Sequence, residues 1–186
     1  MSKLFVDEIV HASSQGSGTI TIGASGETVA LASGVKQSNL MYPSFRVQPS
    51  ATQNVPNQTW TKLNFNTEIW DTDSAYDTST YRFTCPSGKA GKYFTQYSVG
   101  VRDAGSINVV DIAWYLNGAQ DRTFRRYHQA SSTSNQYQSQ VQTMTINLSA
   151  GDYLELYMWQ NAGGNLEVNN QNANLDSYWS LFRIGT

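Results

Sequence analysis

Three aspartates in the run DTDSAYD are the side chains whose spacing is most suggestive of chemistry. Asp71, Asp73 and Asp77 could converge on one hard cation such as calcium. An EF-hand loop, however, needs an oxygen ligand at its fifth position and a glycine at its sixth, where this run has Ala75 and Tyr76. We therefore interpret the run as a solvated turn and expect neither a bound metal nor a cofactor.

The remaining candidates for catalysis are one cysteine and two histidines. Cys85 precedes Pro86, and no feature of the sequence places His11 or His128 where it could activate the thiol. The nucleophile-elbow motif G-x-S-x-G does not occur, and the Gly-Lys pair at 88–89 lacks the upstream glycine of a phosphate-binding loop. Since no pair of carboxylates suited to a glycoside hydrolase can be placed either, we expect a protein that is not an enzyme.

The charge balance limits the possible partners. With 12 basic and 14 acidic residues the formal net charge is −2, too small for the field of the whole protein to attract nucleic acid or an anionic membrane. The most basic segment, DRTFRRYH, mixes three arginines with Phe124 and Tyr127, a combination that can stack on bases and pair with phosphates. On a slightly acidic protein, such a segment more often makes ion pairs between subunits or covers apolar surface. We expect a protein or glycan partner, with no nucleic acid and no membrane.

Alternation of apolar and polar residues predicts strands throughout the chain, and no stretch sustains the 3.6-residue period of a helix. In Val141 to Leu148, the side chains of Met144, Ile146 and Leu148 share one face of the predicted strand. In the stretch from residue 93 to residue 101, the buried set is expected to be Tyr93, Tyr97, Val99 and Val101. The segments YLELYMW and YWSLFRI are apolar on both faces, which is typical of central strands covered by a second sheet or by another subunit.

Turn signals separate these strands. Asn117-Gly118 favours a tight hairpin, Ala150-Gly151-Asp152 favours a short turn, and residues 161–164 favour a looser one. Many short strands between such turns predict an all-β antiparallel sandwich or barrel.

The first 42 residues differ from the rest, because serine and glycine dominate and aromatic residues are almost absent. Two short units, TITIGASGE and TVALASGVK, align at a period of nine, so that Ile20 and Ile22 match Val29 and Leu31. Two units are too few to form a core of their own. We therefore predict two parts: residues 1–42 form an extended, β-rich arm that anchors through these four side chains, and residues 43–186 form the head domain. A flexible leader is the alternative to an anchored arm.

A set of five aromatic residues, one aspartate and one glycine carries a family resemblance. The set comprises Phe65, Asp71, Tyr76, Phe83, Gly91, Tyr93 and Tyr97. Their spacing resembles the globular-head signature of complement component one q, a family that shares its jelly roll with tumour necrosis factor. The stretches LSAGDYLELYMW and SYWSLFRIG are similar to the family's late strands, so the resemblance covers about residues 45–184. The sequence departs from the family pattern in two places. The gap from Phe83 to Gly91 is two residues longer than in the family, and Thr95 stands where the family usually has an aromatic residue.

The resemblance implies an antiparallel jelly-roll sandwich that assembles as a homotrimer. The signature aromatics are expected to fill the core rather than to bind a ligand. Trp159 and Trp179 are expected to be shielded from water by the trimer. Some relatives hold calcium near the threefold axis, but no residue here matches a transferable metal motif.

The arm resembles leaders of structural proteins from tailed bacteriophages. Together the two resemblances favour a virion protein made in the host cytoplasm: a capsid decoration, or cement, protein whose arm binds the major capsid protein or another virion protein while the head faces outward. The alternative is a trimeric tail fibre or spike tip. Its loops at 131–138 and 163–171 are rich in Asn, Gln and Ser, which suits recognition of a host surface glycan.

Overall fold

The computed structural model describes residues 43–103, 109–127, 136–168 and 177–185. In these ranges the chain is all-β, with two antiparallel sheets and no helix, which confirms the predicted sandwich. The predicted arm with Ile20, Ile22, Val29 and Leu31, both histidines, and residues 131–135 and 169–171 of the two predicted glycan-binding loops lie outside the described residues.

Thirteen strands are assigned within the described ranges and divide between the two sheets. Sheet A contains β1 (Ser44–Gln48), β2 (Gln53–Val55), β4 (Thr67–Asp71), β7 (Gly91–Asp103), β10 (Gln136–Leu148), β12 (Leu166–Val168) and β13 (Tyr178–Gly185). Sheet B contains β3 (Thr61–Lys62), β5 (Tyr76–Asp77), β6 (Arg82–Thr84), β8 (Val109–Leu116), β9 (Ala119–Tyr127) and β11 (Tyr153–Gln160).

Sheet A is organised around the long strand β7. One edge of β7 pairs with β10 along all 13 residues, from Gly91↔Leu148 to Asp103↔Gln136. The other edge pairs with β13 and, further along, with β12, while β1 and β4 continue the sheet beyond β13. In sheet B the order is β5-β6-β11-β8-β9, and β3 also pairs with β11. Both segments predicted as central strands, β11 and β13, therefore have neighbours on both edges.

Strand alternation explains which side chains form the core. On β7, Tyr93, Tyr97 and Val99 are fully buried, as predicted. On β10, Leu148 is buried and Met144 and Ile146 pack against the core, whereas the alternating Thr and Asn side chains are exposed. This is the pattern of a strand with one face on the core and one face toward solvent.

Aromatic rings connect the two sheets across the core. The ring of Phe45 on β1 lies 4.9 Å from that of Tyr76 on β5 and 5.1 Å from that of Trp179 on β13. Tyr97 on β7 lies 4.8 Å from Trp114 on β8. Each aromatic pair adds about 0.5–1.5 kcal/mol to the free energy already gained by burial. These contacts fix the two sheets face to face.

Both departures from the family spacing have a structural explanation. Thr95 points into the core and is fully buried, and its hydroxyl donates to the carbonyl of Ser180 at 3.1 Å. The same hydroxyl oxygen accepts from Trp179 Nε1 at 2.8 Å, so it satisfies an indole N–H that an aromatic at this position could not. The longer gap is taken up by a turn in which the Lys89 amide donates to the Pro86 carbonyl at 3.1 Å.

The predicted hairpin at Asn117-Gly118 joins β8 to β9. Both residues have positive φ, 52° and 80°, as a tight hairpin turn requires. The Asn117 side chain also donates to Asp152 Oδ1 at 2.8 Å and accepts from the Tyr153 amide at 2.9 Å. The hairpin turn is therefore tied to the predicted turn before β11, where Gly151 has a φ of 88°.

Candidate functional site

The three aspartates of DTDSAYD all accept hydrogen bonds from nearby residues, Asp73 from the Thr72 hydroxyl at 2.9 Å. Asp71 accepts the amide of Tyr76 at 2.7 Å, while Asp77 accepts from the amide and hydroxyl of Ser79 at 2.8 and 2.6 Å. These hydrogen bonds to Ser79, with those to Thr80, lower the pKa of Asp77 to about 2. Among the described residues, no group of three or more His, Cys, Asp or Glu side chains could hold a metal ion.

The aromatic signature residues lie inside the sandwich. The residues Phe65, Tyr76, Phe83, Tyr93 and Tyr97 are all at most 6% exposed. Tyr76 donates its hydroxyl to the Phe65 carbonyl at 2.9 Å, and burial raises its pKa far above the ordinary value. Gly91 begins β7 with a φ of 146°, a backbone conformation that L side chains rarely adopt. These residues fill the core, and they leave no surface on which a ligand could bind.

Cys85 belongs to the same core. It is buried, and its Sγ lies 3.4 Å from the Tyr93 hydroxyl. Burial raises the pKa of the thiol, which is unfavourable for nucleophilic chemistry at neutral pH.

The two tryptophans expected to be shielded by a trimer occupy different environments. Trp179 faces inward from β13 and is fully buried within one chain, so the expectation that it needs a trimer is wrong. Trp159 is on the opposite parity of β11 from the buried Met158, so it points away from the core and is half-buried on the outside of sheet B.

The outer face of sheet A carries an apolar surface, which we call the sheet A patch. The large apolar side chains that are exposed in the described ranges all lie on its strands: Ile69, Trp70, Val141 and Ile184, at 44–53% exposure. Phe94 and Phe182 pair across β7 and β13 on the same outer face, with ring centroids 5.2 Å apart. A groove of about 350 Å³ runs between Trp70 and Phe182. Several exposed apolar side chains on one face of a sheet favour an interaction site there.

One arginine of the sheet A patch is incompletely satisfied. The Arg46 guanidinium lies 4.5 Å above the ring of Tyr178. Its Nε is buried yet has no hydrogen-bond partner among the residues that the structure describes. A buried donor without an acceptor is unfavourable.

The outer face of sheet B is different, because its buried charges are paired within the chain. Glu155 on β11 is 2% exposed and accepts from Lys62 Nζ at 2.6 Å and from Arg82 Nε at 2.9 Å. The Arg82 guanidinium also stacks on the ring of Tyr153 at 3.8 Å. Carboxylate, ammonium and guanidinium thus form a compact ion cluster.

Beside this cluster lies an open groove of about 570 Å³, the sheet B groove. Its described lining is Trp60, Asp111, Gln120, Arg125 and Trp159. The pairing register places Trp159 opposite Asp111 and Asp111 opposite Arg125. Arg125 donates two hydrogen bonds to Asp111, from Nε at 2.8 Å and from Nη2 at 2.7 Å. The Asp111 side chain is only 4% exposed. The groove therefore combines two indoles with one oriented ion pair.

Comparison with known proteins identifies the fold and the family. The C1q domain family model matches residues 44–180. The chain belongs to the C1q domain family. Two solved structures share the fold over 76% of this chain: the globular domain of zebrafish complement 1qA protein, at a TM-score of 0.51 and 16% identity over 97% of that chain, and murine APRIL, at 0.55 and 11% over 98%. The family predicted from the aromatic spacing is confirmed.

One curated relative connects this C1q domain with a phage-like element. The chain is 23% identical over 130 residues, 67% of its length, to the "Phage-like element PBSX protein XkdV" of Bacillus subtilis (strain 168). The chain spans only 18% of that relative.

The sequence analysis did not single out the residues of the sheet B groove as a site. The available signals were the lone charge of Asp111 inside the apolar run VVDIAWYL and the basic segment that contains Arg125. Arg125 pairs within its own chain rather than remaining available as an unpaired cation. Trp60 carried no signal, because it precedes a strand of only two residues.

Within the ranges that the structure covers, there is no helical segment long and apolar enough to span a bilayer.

Proposed function

We propose that this C1q domain is the head of a non-enzymatic structural protein of a phage particle. In this proposal the head forms a homotrimer through the sheet A patch. The assembled protein decorates the capsid as a cement protein: residues 1–42 dock on the major capsid protein or another virion protein, and the head faces outward. The observation that carries the proposal is the exposed apolar surface of sheet A.

The chemistry of the sheet A patch favours a protein partner of the same kind. Val141 is 53% exposed and Trp70 is 44% exposed, and burying the rest of each side chain contributes about 1 kcal/mol. In an assembly with closed threefold symmetry, the patch of every copy is covered, and no uncovered patch remains to bind further chains.

Two similarities support a virion location. The curated relative is a protein of a phage-like element, and the predicted arm resembles leaders of phage structural proteins. Three arms on one trimer would engage three sites on a shell simultaneously, so that weak individual contacts give strong attachment.

The assembly is tested by light scattering of the full chain and of Val141→Glu, which places a charge in the sheet A patch. We expect the mass of three chains for the wild type and of one chain for the variant. Thr84→Glu, at an exposed position of β6 in sheet B, is the matched control and should remain trimeric. A monomeric wild type, or a trimer unaffected by Val141→Glu and likewise by Phe182→Glu, contradicts assembly through this patch.

The position on the particle is tested by counting copies per virion. A decoration protein should be present in hundreds of copies, and particles lacking it should lose heat resistance and regain it when purified protein is added. A handful of copies, or shells of unchanged resistance that bind no added protein, contradicts the cement role.

A second candidate is a trimeric receptor-binding tip of a tail fibre or spike, and the sheet B groove favours it. Its half-buried indoles and polar side chains lie on the face opposite the proposed trimer contact. A tip would bind host cells directly, and particles lacking it would fail to adsorb.

A further inference from the structure

We propose that the sheet B groove binds a neutral oligosaccharide of hexopyranose units. The proposal goes beyond the proposed function, because it concerns a different face and applies to a decoration protein or to a tail tip. It concerns described residues of the sandwich, not the loops that the sequence analysis named.

The aromatic part of the groove matches the apolar face of a sugar ring. Trp60 precedes β3, whose pairing of Thr61 with Met158 places the tryptophan next to Trp159 on the outer side of sheet B. Both indoles are half-buried, so part of each ring packs on the protein and part of it faces the groove. The C–H groups on one side of a pyranose pack on such a ring, since the face of an aromatic ring carries partial negative charge.

The polar part of the groove matches the hydroxyls at the rim of a sugar. The Arg125 side chain is 53% exposed, and its two hydrogen bonds to the buried Asp111 carboxylate hold the guanidinium in place at the groove. A hydroxyl of a pyranose can accept a hydrogen bond from such a guanidinium. Gln120, exposed on β9, adds an amide that can both donate and accept.

The charges select neutral sugars over acidic ones. Asp111 and Arg125 neutralise each other, and the neighbouring Arg122 lies 3.8 Å from Asp121. In the described lining of the groove, Arg125 is the cation, and it is paired with Asp111. A phosphate, sulfate or carboxylate on the ligand would therefore meet no net positive charge.

The groove is held by regular structure. Tyr115 on β8 packs at 6.1 Å from the Trp60 ring and at 4.1 Å from the Tyr157 ring. Asp111 and Arg125 are fixed by the β8–β9 pairing, and each hydrogen-bonds the other. A site built on strands changes little on binding, which reduces the entropy lost when a ligand is held.

The test uses the full chain with all five tryptophans replaced by 5-fluorotryptophan. Soluble oligomers of glucose, galactose, mannose and N-acetylglucosamine are titrated into the millimolar range and followed by fluorine NMR, with a sulfated oligosaccharide as the acidic probe. We expect at least one neutral oligomer to shift the signals of Trp60 and Trp159 while those of the buried Trp114 and Trp179 remain in place.

Variants establish the location by calorimetry. Trp60→Ala and Trp159→Ala should each weaken binding by about tenfold or more. Gln120→Ala changes an exposed residue and should weaken binding several-fold without affecting the fold, which keeps the proposal testable if a tryptophan variant does not fold. Trp70→Ala removes an exposed indole from sheet A and should bind as the wild type does.

Three results would overturn the proposal: no neutral oligomer binds, the sulfated probe binds more tightly than every neutral one, or Gln120→Ala and the tryptophan variants bind unchanged. Because the groove lies within one chain, Val141→Glu should bind as well per chain as the wild type. Failure of the trimer is thereby distinguished from failure of the sugar site.

Discussion

The two outer faces of the sandwich differ in how their side chains are satisfied. On sheet B, the buried carboxylates of Glu155 and Asp111 have cationic partners in the same chain. On sheet A, exposed Trp70 and Val141 have no such cover, and the Nε of Arg46 has no described acceptor. One face therefore has its buried carboxylates paired within a single chain, whereas the other is the face that the proposed trimer would cover.

Under the two proposals, this difference allows one sandwich to serve two purposes. A face with internally paired charges keeps its shape in water and can present a rigid polar groove. An apolar face is stabilised by assembly and would be hidden in a trimer. Predictions that separate the two faces follow, beginning with the largest expected effect.

Removal of the buried carboxylate of sheet B should cause the largest loss of stability. We expect Glu155→Leu to lower the unfolding free energy by roughly 2–4 kcal/mol, because it leaves Lys62 and Arg82 without their shared anion. Urea denaturation at one fixed protein concentration measures the change. Glu167→Leu is the control: its ion pair with Arg102 is about one-third exposed on both sides, and its loss should change stability by less than about 1 kcal/mol. Equal effects would show that sheet B does not depend on its buried charges.

The inner side of sheet A contains a polar contact that should matter next. We expect Thr95→Val to lower the unfolding free energy by about 1–2 kcal/mol, because the isosteric side chain leaves Trp179 Nε1 unpaired in the core. The same urea assay applies. Thr84→Val at an exposed position of β6 should change stability by less than about 0.5 kcal/mol, and a harmless Thr95→Val would contradict the role assigned to this hydroxyl.

The hairpin that sets Asp111 opposite Arg125 gives a third test. Gly118→Ala should destabilise the fold by about 1 kcal/mol or more, because φ is +80° there and an added Cβ would lie 3.1 Å from the Tyr153 hydroxyl. Gly164→Ala, where an added Cβ meets nothing within 4 Å, is the control. Thermal melts of the two variants should differ clearly; coincident melts would mean that the turn tolerates a side chain.

The smallest effect concerns pH at the edge of sheet B. The pKa of Asp77 is about 2 in the folded chain against an ordinary 3.8, so the unfolded chain binds a proton first as the pH falls. The associated stability is present above the ordinary value and is lost as the pH falls through the folded value. Asp77→Asn should therefore show a flatter decline of melting temperature between those two values. A decline as steep as that of the wild type would mean that the Ser79 and Thr80 contacts do not persist in solution.

Local alternation was enough to predict the buried strands. Met144, Ile146 and Leu148 share a face because strand side chains alternate, and the aromatic spacing from Phe65 to Tyr97 reflects one core. The Asn117-Gly118 hairpin was predictable because few residue pairs accept positive φ at both positions. These features depend on neighbours along the chain.

The outer faces were not predictable in the same way, because they depend on pairing between distant segments. Glu155 reaches Lys62 across 93 positions of the sequence, and Trp159 meets Asp111 only through the β11–β8 register. The segment YLELYMW is apolar on both faces, so its local pattern could not reveal which side chains would surround Trp159. The hydrogen bond from Trp179 to Thr95 likewise joins two segments that are far apart in the sequence, and no local pattern indicates it.

The pairing of β1 with β13 has a consequence for how the domain is used. Ser44 lies opposite Phe182, and the Arg183 amide donates to the Pro43 carbonyl at 3.1 Å, so the start of β1 and the end of β13 lie side by side in sheet A. A unit with adjacent entry and exit points can be spliced into an unrelated polypeptide, or circularly permuted with a short linker, with little strain on either strand. The sandwich thus has the strand geometry of a domain that can be inserted into other proteins.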